Sequence, residues 1–369
     1  MALLQQLHIY NFRNIVHASL SLSPQVNLIF GDNGSGKTSI LESIHLLSRA
    51  RSFRSHMMRH VIRAGELSTT VHGKLLGSQG ANQTVGVMRD RQGGFEFRVD
   101  YQSYASAAVL ARALPLQVFN AGSFELIEGA PQFRRQFVDW GVFHVKHEYA
   151  ELWRLFQRAL KQRNSLLRHG KMGGGELDSW DEEVARLATR VNELRVAYLD
   201  DLLPRVEALA RDFIELQGPL QFEFHPGWDV QKDLRELFQS ARDRELSQGQ
   251  TLYGPHRADL KIRYLGIPAA QSLSRGQTKA LVYAMKVGQG LAYQAATGQP
   301  CLFLLDDFPA ELDEGHRQKI VDLLLGQEAQ LVVTGTHKND LLQLDWRSDT
   351  VQIAMFHVKH GEVSEHNPS

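Results

Sequence analysis

Cysteine is nearly missing from this chain: of 369 residues only Cys301 carries a thiol. One cysteine cannot form an intramolecular disulfide and leaves no cysteine-based zinc cluster. It lies in an apolar run, where a buried thiol is the expected state. Net charge is missing as well. Lys plus Arg and Asp plus Glu both number 41, so no global field draws the chain to nucleic acid or membrane, and such binding needs a local patch. No apolar stretch reaches the ~18 residues of a membrane span. Met1 to Asn14 lacks the basic-then-apolar pattern of a secretory signal, which makes the cytoplasm the expected compartment. What remains is 43% hydrophobic, a globular composition with length for about two or three domains.

The richest local signal is Gly31-Asp32-Asn33-Gly34-Ser35-Gly36-Lys37-Thr38. It fits the phosphate-loop pattern G-x-x-x-x-G-K-[ST], and its flanks fit too. Val26 to Phe30 reads as a buried strand and Ser39 to Leu47 as a helix, the context the motif requires. Glycines 31, 34 and 36 let backbone N–H groups turn toward phosphate oxygens, and the helix start faces the same anion. Lys37 supplies a point charge for β- and γ-phosphates, and Thr38 a hydroxyl for Mg²⁺. The expected cofactors are ATP and Mg²⁺.

Around this motif the pattern is α/β. Leu3 to Ile9 alternates like a strand, and Thr69–Leu76, Thr84–Arg89 and Phe95–Tyr101 read as an antiparallel sheet beside the nucleotide core. His147 to Arg168 carries a helical stripe. Gly170 and Gly173 to Gly175 break it. A second helical run follows, with Val184, Leu187, Val191, Leu194 and Tyr198 at heptad spacing until Pro204, expected to interrupt or kink it. Two such helices read as an antiparallel hairpin. Either it projects by roughly 30 Å at ~1.5 Å per residue, or it is an ordinary helical subdomain. The runs Cys301–Leu305 and Leu331–Thr334 read as central parallel strands. The expected organisation is a discontinuous nucleotide head, residues 1–130 and 250–369, with a helical arm inserted at 131–249.

Asp306 and Asp307 close the apolar run after Cys301. An acid at the end of a buried strand is where P-loop enzymes hold Mg²⁺, so Asp306 is assigned to the metal and Asp307 to orienting or deprotonating water. A helix N-cap pair is the bland alternative. Leu273-Ser274-Arg275-Gly276-Gln277 resembles the LSGGQ-type signature of ABC-type ATPases. In those proteins the serine and glycine N–H groups reach ATP on the other subunit, so the resemblance implies an ATP-dependent homodimer. Ala310-Glu311-Leu312-Asp313 resembles the D-loop of that class, His337 stands at the switch-histidine position, and Gln117 resembles the Q-loop glutamine that senses Mg²⁺ and γ-phosphate. Ser39 completes the expected nucleotide set.

Longer segments narrow the class. Leu7 to Asn14 resembles the N-terminal strand motif of the RecF family of bacterial recombination mediators, relatives of SMC heads. Arg51-Ser52-Phe53-Arg54-Ser55 follows the first helix as in that family. Gly129 to Trp140 resembles its G-x-P-x-x-R-R-x-F-x-D segment. Tyr253 to Leu260 resembles its G-P-H-[RK]-x-D-L segment, and general ABC proteins lack the last two. Phe119-Asn120-Ala121-Gly122-Ser123 departs from it, because a proline-glutamate pair is expected there. The resemblance covers essentially the whole chain. It implies a P-loop ABC-type ATPase head with slow, DNA-stimulated ATP hydrolysis. It also implies binding to gapped or single/double-strand junction DNA, and partnership with RecO and RecR in loading RecA during replication and repair. A transporter ATP-binding subunit shares the phosphate loop, signature and Asp pair, but not the helical insert or Arg134-Arg135. A nucleotide-gated DNA scaffold with negligible turnover is the other rival.

Two basic stretches are candidates for phosphate-backbone contact. The first holds Arg49, Arg51, Arg54, Arg59 and Arg63 with His56 and His60. The second holds Arg154, Arg158, Lys161, Arg163, Arg168 and Lys171; of these Arg154, Arg158 and Lys161 share one helix face. Solvated or internally paired charges are the alternative. Finally, Phe143-His144-Val145-Lys146-His147 recurs as Phe356-His357-Val358-Lys359-His360. His-x-x-His suggests a metal, but no third ligand is evident. Coincidence is a second reading. The third is a constraint in the gene, because TTT-CAC-GTG-AAA is a palindrome that another protein could bind.

Overall fold

The computed structural model describes residues 3–55, 57–77, 81–169, 174–311, 314–347 and 349–366. The chain forms two compact units: Met1–Ser123 with Lys279–Ser369, and Phe124–Thr278.

The first unit is built on two six-stranded sheets. One is antiparallel and contains Leu3–Phe12, Ile15–Ser21, Ser68–Leu76, Asn82–Asp90, Phe95–Val99 and Gln102–Tyr104. Its strands alternate, so one face (Leu7, Ile9, Val71, Val85, Val87) is buried while His8, Tyr10 and His72 stand on the other. The second sheet centres on Val26–Phe30 and Leu331–Gly335, which pair in parallel. Leu302–Leu305 and Leu116–Phe119 continue it in parallel on one side, Ile353–Lys359 on the other, and Glu362–His366 closes that edge antiparallel. The central strands are apolar at almost every position because both faces are covered. Helix Lys37–Arg49 buries Ile40, Leu41, Ile44 and Leu47 in the shared core.

The second unit begins at Phe124 and ends at Thr278, wider on both sides than the 131–249 arm read from sequence. The reason is a sheet that crosses the expected boundary: Leu220–His225 pairs with Asp259–Tyr264, which pairs with Ile267–Pro268. Helix Pro131–Val145 packs on Asp259–Tyr264. Helix Tyr149–His169 packs along Gly174–Phe213. The two run antiparallel, since Arg163 meets Asp181 near the connection and Glu148 meets Arg190 farther away. Gly170, Lys171 and Gly173 of the expected break lie outside the described residues. The long helix has 40 residues and passes through Pro204 without ending, a length of about 60 Å. Its seam continues on both sides of the proline, with Tyr198, Leu202, Val206 and Leu209 buried. Pro204 itself is exposed, so packing outweighs the lost hydrogen bond. The seam packs against the neighbouring helices and Leu220–His225, and thus forms the core of a helical subdomain.

Inside that core Arg163, fully buried, donates to Asp181 at 2.7 Å, Glu245 at 2.7 Å and Thr251 at 2.8 Å. It belongs to the unit's interior, not to a basic surface. Arg163→Ala would leave the buried Glu245 without its cation, while Asp181 keeps Arg242 at 2.6 Å, at an expected cost of about 3–5 kcal/mol, seen as a large fall in the denaturation midpoint. The family-type segments make a second knot. Arg134 forks onto Asp259 at 2.7 and 3.2 Å, and Arg135 donates to the Ala258 carbonyl at 2.7 Å. Arg195 reaches Asp139 and the Pro255 carbonyl at 2.8 Å each. The R-R-x-F-x-D and G-P-H-R-x-D segments are therefore tied to each other. Nearby His256 is pushed down to about 4 by burial, with Arg257, Arg135 and Arg163 adding to the effect. A depressed histidine favours the folded state above the unfolded pKa, so its contribution is lost as pH falls from ~6.5 toward 4. Acid titration of stability should show that loss, and His256→Phe should reduce its slope.

Candidate functional site: a phosphate-binding cleft

The loop 31–36 leaves the strand Val26–Phe30 at the edge of a cleft of about 690 Å³, a size suited to a nucleotide. Gly34 and Gly36 have φ of 78° and 125°, conformations that favour glycine. At Gly31 (φ 153°) a Cβ would stand 2.2 Å from the Val358 carbonyl oxygen. Gly36 caps helix Lys37–Arg49 without any side-chain acceptor, and no acid lies in the first turn. The helix start therefore keeps its N–H groups and dipole for an anion. Ser35 Oγ, 5% exposed, has no partner among the described residues, as expected of a cradle whose last acceptor is a ligand.

Lys37 Nζ donates to the Gly31 and Asp32 carbonyls at 2.6 and 3.0 Å. Burial lowers its pKa, opposed by Asp307, Asp306 and Asp32. Thr38 Oγ1 and Thr334 Oγ1 both donate to Asp306 Oδ1, at 3.0 and 2.9 Å. Burial raises the Asp306 pKa, the two hydroxyl bonds oppose that, and Asp307 reinforces it. The Asp307 N–H donates to Thr334 Oγ1 at 2.8 Å, which holds Asp307 at φ 53°, an uncommon conformation for a non-glycine residue. A threonine hydroxyl and a carboxylate at hydrogen-bond distance are the hard oxygen donors a Mg²⁺ ion shares with a triphosphate, so the residues fit that ion.

Several contributors were invisible in the sequence. Asn14 donates to the Ser35 carbonyl at 2.9 Å and accepts from Ser39 Oγ at 3.0 Å, bracing the loop from the first strand pair. Arg13 forks onto Glu42, which is fully buried on the phosphate-loop helix. Thr334 and Arg91 also line the cleft. Asn14 and Arg13 fall within the N-terminal motif, which flagged the segment but gave no role.

Other expected residues sit elsewhere. Gln117 does not line the cleft; it is 6% exposed and donates to Gln289 at 3.1 Å. Its strand turns the side chain into the core, away from the cleft lining. His337 is exposed, at the start of helix Lys338–Leu342 beyond the strand that carries Thr334; it too is not a lining residue. Of the first basic stretch, Arg54 and Arg59 line the cleft. Arg63 donates to the Asn14 carbonyl at 3.0 Å. Arg49 is pushed down to about 10 by burial beside Arg51. Only Arg51 remains as an exposed residue outside the cleft; His56 lies outside the described residues. In the second stretch Arg154, Arg158 and Lys161 are exposed, with Arg154 paired to Glu151 at 2.5 Å. Leu312 and Asp313 of the D-loop segment lie outside the described residues.

The signature segment belongs to the second unit. Ser274 accepts from the Gln277 N–H at 3.2 Å while the Gln277 side chain accepts from the Ser274 N–H at 2.9 Å. This reciprocal capping box opens helix Arg275–Thr297. Ser274, Arg275 and Gly276 are exposed, and among the described residues nothing stands within 4 Å of a Cβ at Gly276.

Comparison with known proteins agrees with this geometry. The family model described as RecF/RecN/SMC N terminal domain matches residues 3–363. The "DNA replication and repair protein RecF" of Pseudomonas paraeruginosa is 44% identical over 96% of this chain and 95% of its own. The chain belongs to the RecF family. A solved structure described as the recombination mediator protein RecF-ATP in the RecFOR pathway superposes on this RecF-family chain with a TM-score of 0.89. It shares 25% identity and covers 99% of this chain and 98% of its own. An SMC head bound to the C-winged helix domain of ScpA has a TM-score of 0.59 at 12% identity, covering 99% and 98%, a likeness of fold. The mixed α/β head expected from the sequence is thus the RecF and SMC type, and among the described residues no helix is long and apolar enough to cross a membrane.

Proposed function

We propose that this chain is an ATP-gated, DNA-binding recombination mediator that works as a homodimer with RecO and RecR in promoting RecA loading. The observation that carries the reading is the Thr38–Asp306–Thr334 cluster beside the phosphate loop, in a chain that belongs to the RecF family. The loop N–H groups and Lys37 bind the triphosphate. Thr38 and Asp306 would hold Mg²⁺, which would supply neutralisation of the charge on the transferred phosphoryl group. Asp307, exposed and fixed by the Thr334 hydroxyl, takes the proton of the attacking water.

The exposed signature turn completes the site of a second copy. Ser274, Gly276 and the open N–H groups of the helix start contact its γ-phosphate, so ATP joins two heads and hydrolysis parts them. Ser274→Arg should bind nucleotide normally yet remain monomeric with ATP or a slow analogue, while wild type dimerises, as read by light scattering. A variant that still dimerises ends the signature model. DNA contact is assigned to Arg51, Arg154, Arg158 and Lys161, which read phosphates and not bases. Affinity for gapped duplex should fall steeply between low and moderate salt. Salt-independent binding would exclude backbone contact. A transporter subunit is disfavoured by the Arg134–Asp259 knot of the second unit. A scaffold without turnover is distinguished by the ATPase rate with and without gapped DNA.

A further inference from the structure

The repeated pentapeptide has no common structural task. In the first copy Phe143, His144 and Val145 end helix Pro131–Val145, and Lys146 is its C-cap. In the second, Phe356 to Lys359 lie in the strand Ile353–Lys359. The two conformations point successive side chains in different directions, and the burial patterns differ accordingly. His144 is buried against Trp140, with ring centroids 4.4 Å apart; His357 stacks on Phe30 at 4.8 Å. Val145 is half-buried and Val358 buried. Lys359 faces Glu362 across a two-residue turn, His360-Gly361, in which both residues have positive φ. Asn-Gly is the favoured pair for such a turn. Among the described residues no group of three or more His, Cys, Asp or Glu is arranged to hold a metal. A helix end and an edge hairpin cannot impose the same string of residues for the same reason.

The flanks show where the constraint lies. Phe-His-Val-Lys-His is preceded by Val142 in one copy and Met355 in the other. Methionine has the single codon ATG, and valine can be GTG; both end in TG. Histidine codons begin with CA. Written as TG-TTT-CAC-GTG-AAA-CA, both stretches read identically on the two DNA strands from end to end. The difference between Val142 and Met355 falls on the first codon base, outside this symmetric stretch. The next residues outward, Gly141 against Ala354 and Glu148 against Gly361, have nothing in common. With those codons, the peptide identity stops where the symmetry would stop.

We propose that the coding DNA of this chain carries two copies of a self-complementary binding site, TGTTTCACGTGAAACA. The site is read by a two-fold symmetric DNA-binding protein, because an operator palindrome mirrors the symmetry of its dimeric reader. The repeated peptide is the translation of that site, accepted at two positions of the fold that tolerate it.

The first test is the gene sequence. The codons for residues 142–147 and 355–360 are expected to be GTG or ATG, TTT, CAC, GTG, AAA and CA-. A synonymous codon that breaks the symmetry in either copy overturns the proposal. The second is footprinting of the gene in its own cell. Both stretches should be protected, and synonymous recoding to TTC-CAT-GTC-AAG should remove protection while the protein is unchanged; absent or unaltered protection overturns it. At the protein level, His360→Asn should leave the melting temperature equal or higher. A marked fall would mean that the fold itself demands the histidine, against the proposal.

Discussion

Lys37→Met is expected to weaken binding of a magnesium–ATP complex roughly a hundredfold or more, about 3 kcal/mol, without loss of fold. The ammonium is the cation that the loop itself encloses, held by the Gly31 and Asp32 carbonyls at 2.6 and 3.0 Å. Burial already disfavours its charged form, so methionine of similar reach removes a desolvation cost from the free protein and an ionic contact from the complex. The melting temperature should therefore stay level or rise while affinity collapses. Titration calorimetry with ATP reads the first effect and thermal unfolding the second. Because the dimer is proposed to assemble on the bound nucleotide, ATP-dependent change in size should vanish in the same variant. Near-normal affinity would mean that phosphate is bound elsewhere.

Asp307→Asn is expected to separate binding from turnover. The side chain is exposed and its backbone is fixed by the bond from its N–H to Thr334 at 2.8 Å. Asparagine tolerates positive φ as well as aspartate does, so the 53° conformation survives. What is lost is the ability to accept a proton, worth roughly 10²–10⁴-fold in rate. Nucleotide affinity and dimer formation should be kept, and the dimer should persist longer because the γ-phosphate is not removed. Asp306→Asn should act differently, weakening the magnesium-dependent part of binding. If Asp307→Asn hydrolyses ATP at the wild-type rate, another group moves the proton.

The readable parts of the site are those in which chemistry and local conformation coincide. Glycines 31, 34 and 36, Lys37 and Thr38 are contiguous, and a run of buried strand residues announces Asp306 and Asp307. The unreadable parts depend on distant partners. Thr334 looks like any β-branched strand residue until the parallel pairing of Leu302–Leu305 with Leu331–Gly335 sets it beside the aspartates. Asn14 reaches the loop only through the tertiary arrangement of the first hairpin. Charge was the least informative signal. Arg49, Arg63 and Arg163 count equally with Arg51 and Arg158 in a sequence, yet the first three are withdrawn by burial or by internal acceptors. Gln117 shows the converse: a glutamine of the right type near the right strand, turned into the core toward Gln289. The second compact unit extends past residue 249 because strands on either side of it pair with each other, a long-range event that composition does not register.

The single oxygen of Thr334 gives a proton to one aspartate and receives one from the main chain of the next. Whatever tugs on the carboxylate of Asp306 therefore pulls, through one atom, on the peptide bond that aims Asp307. On the proposed roles, cation grip and water activation share one mechanical setting, and neither can drift without retuning the other.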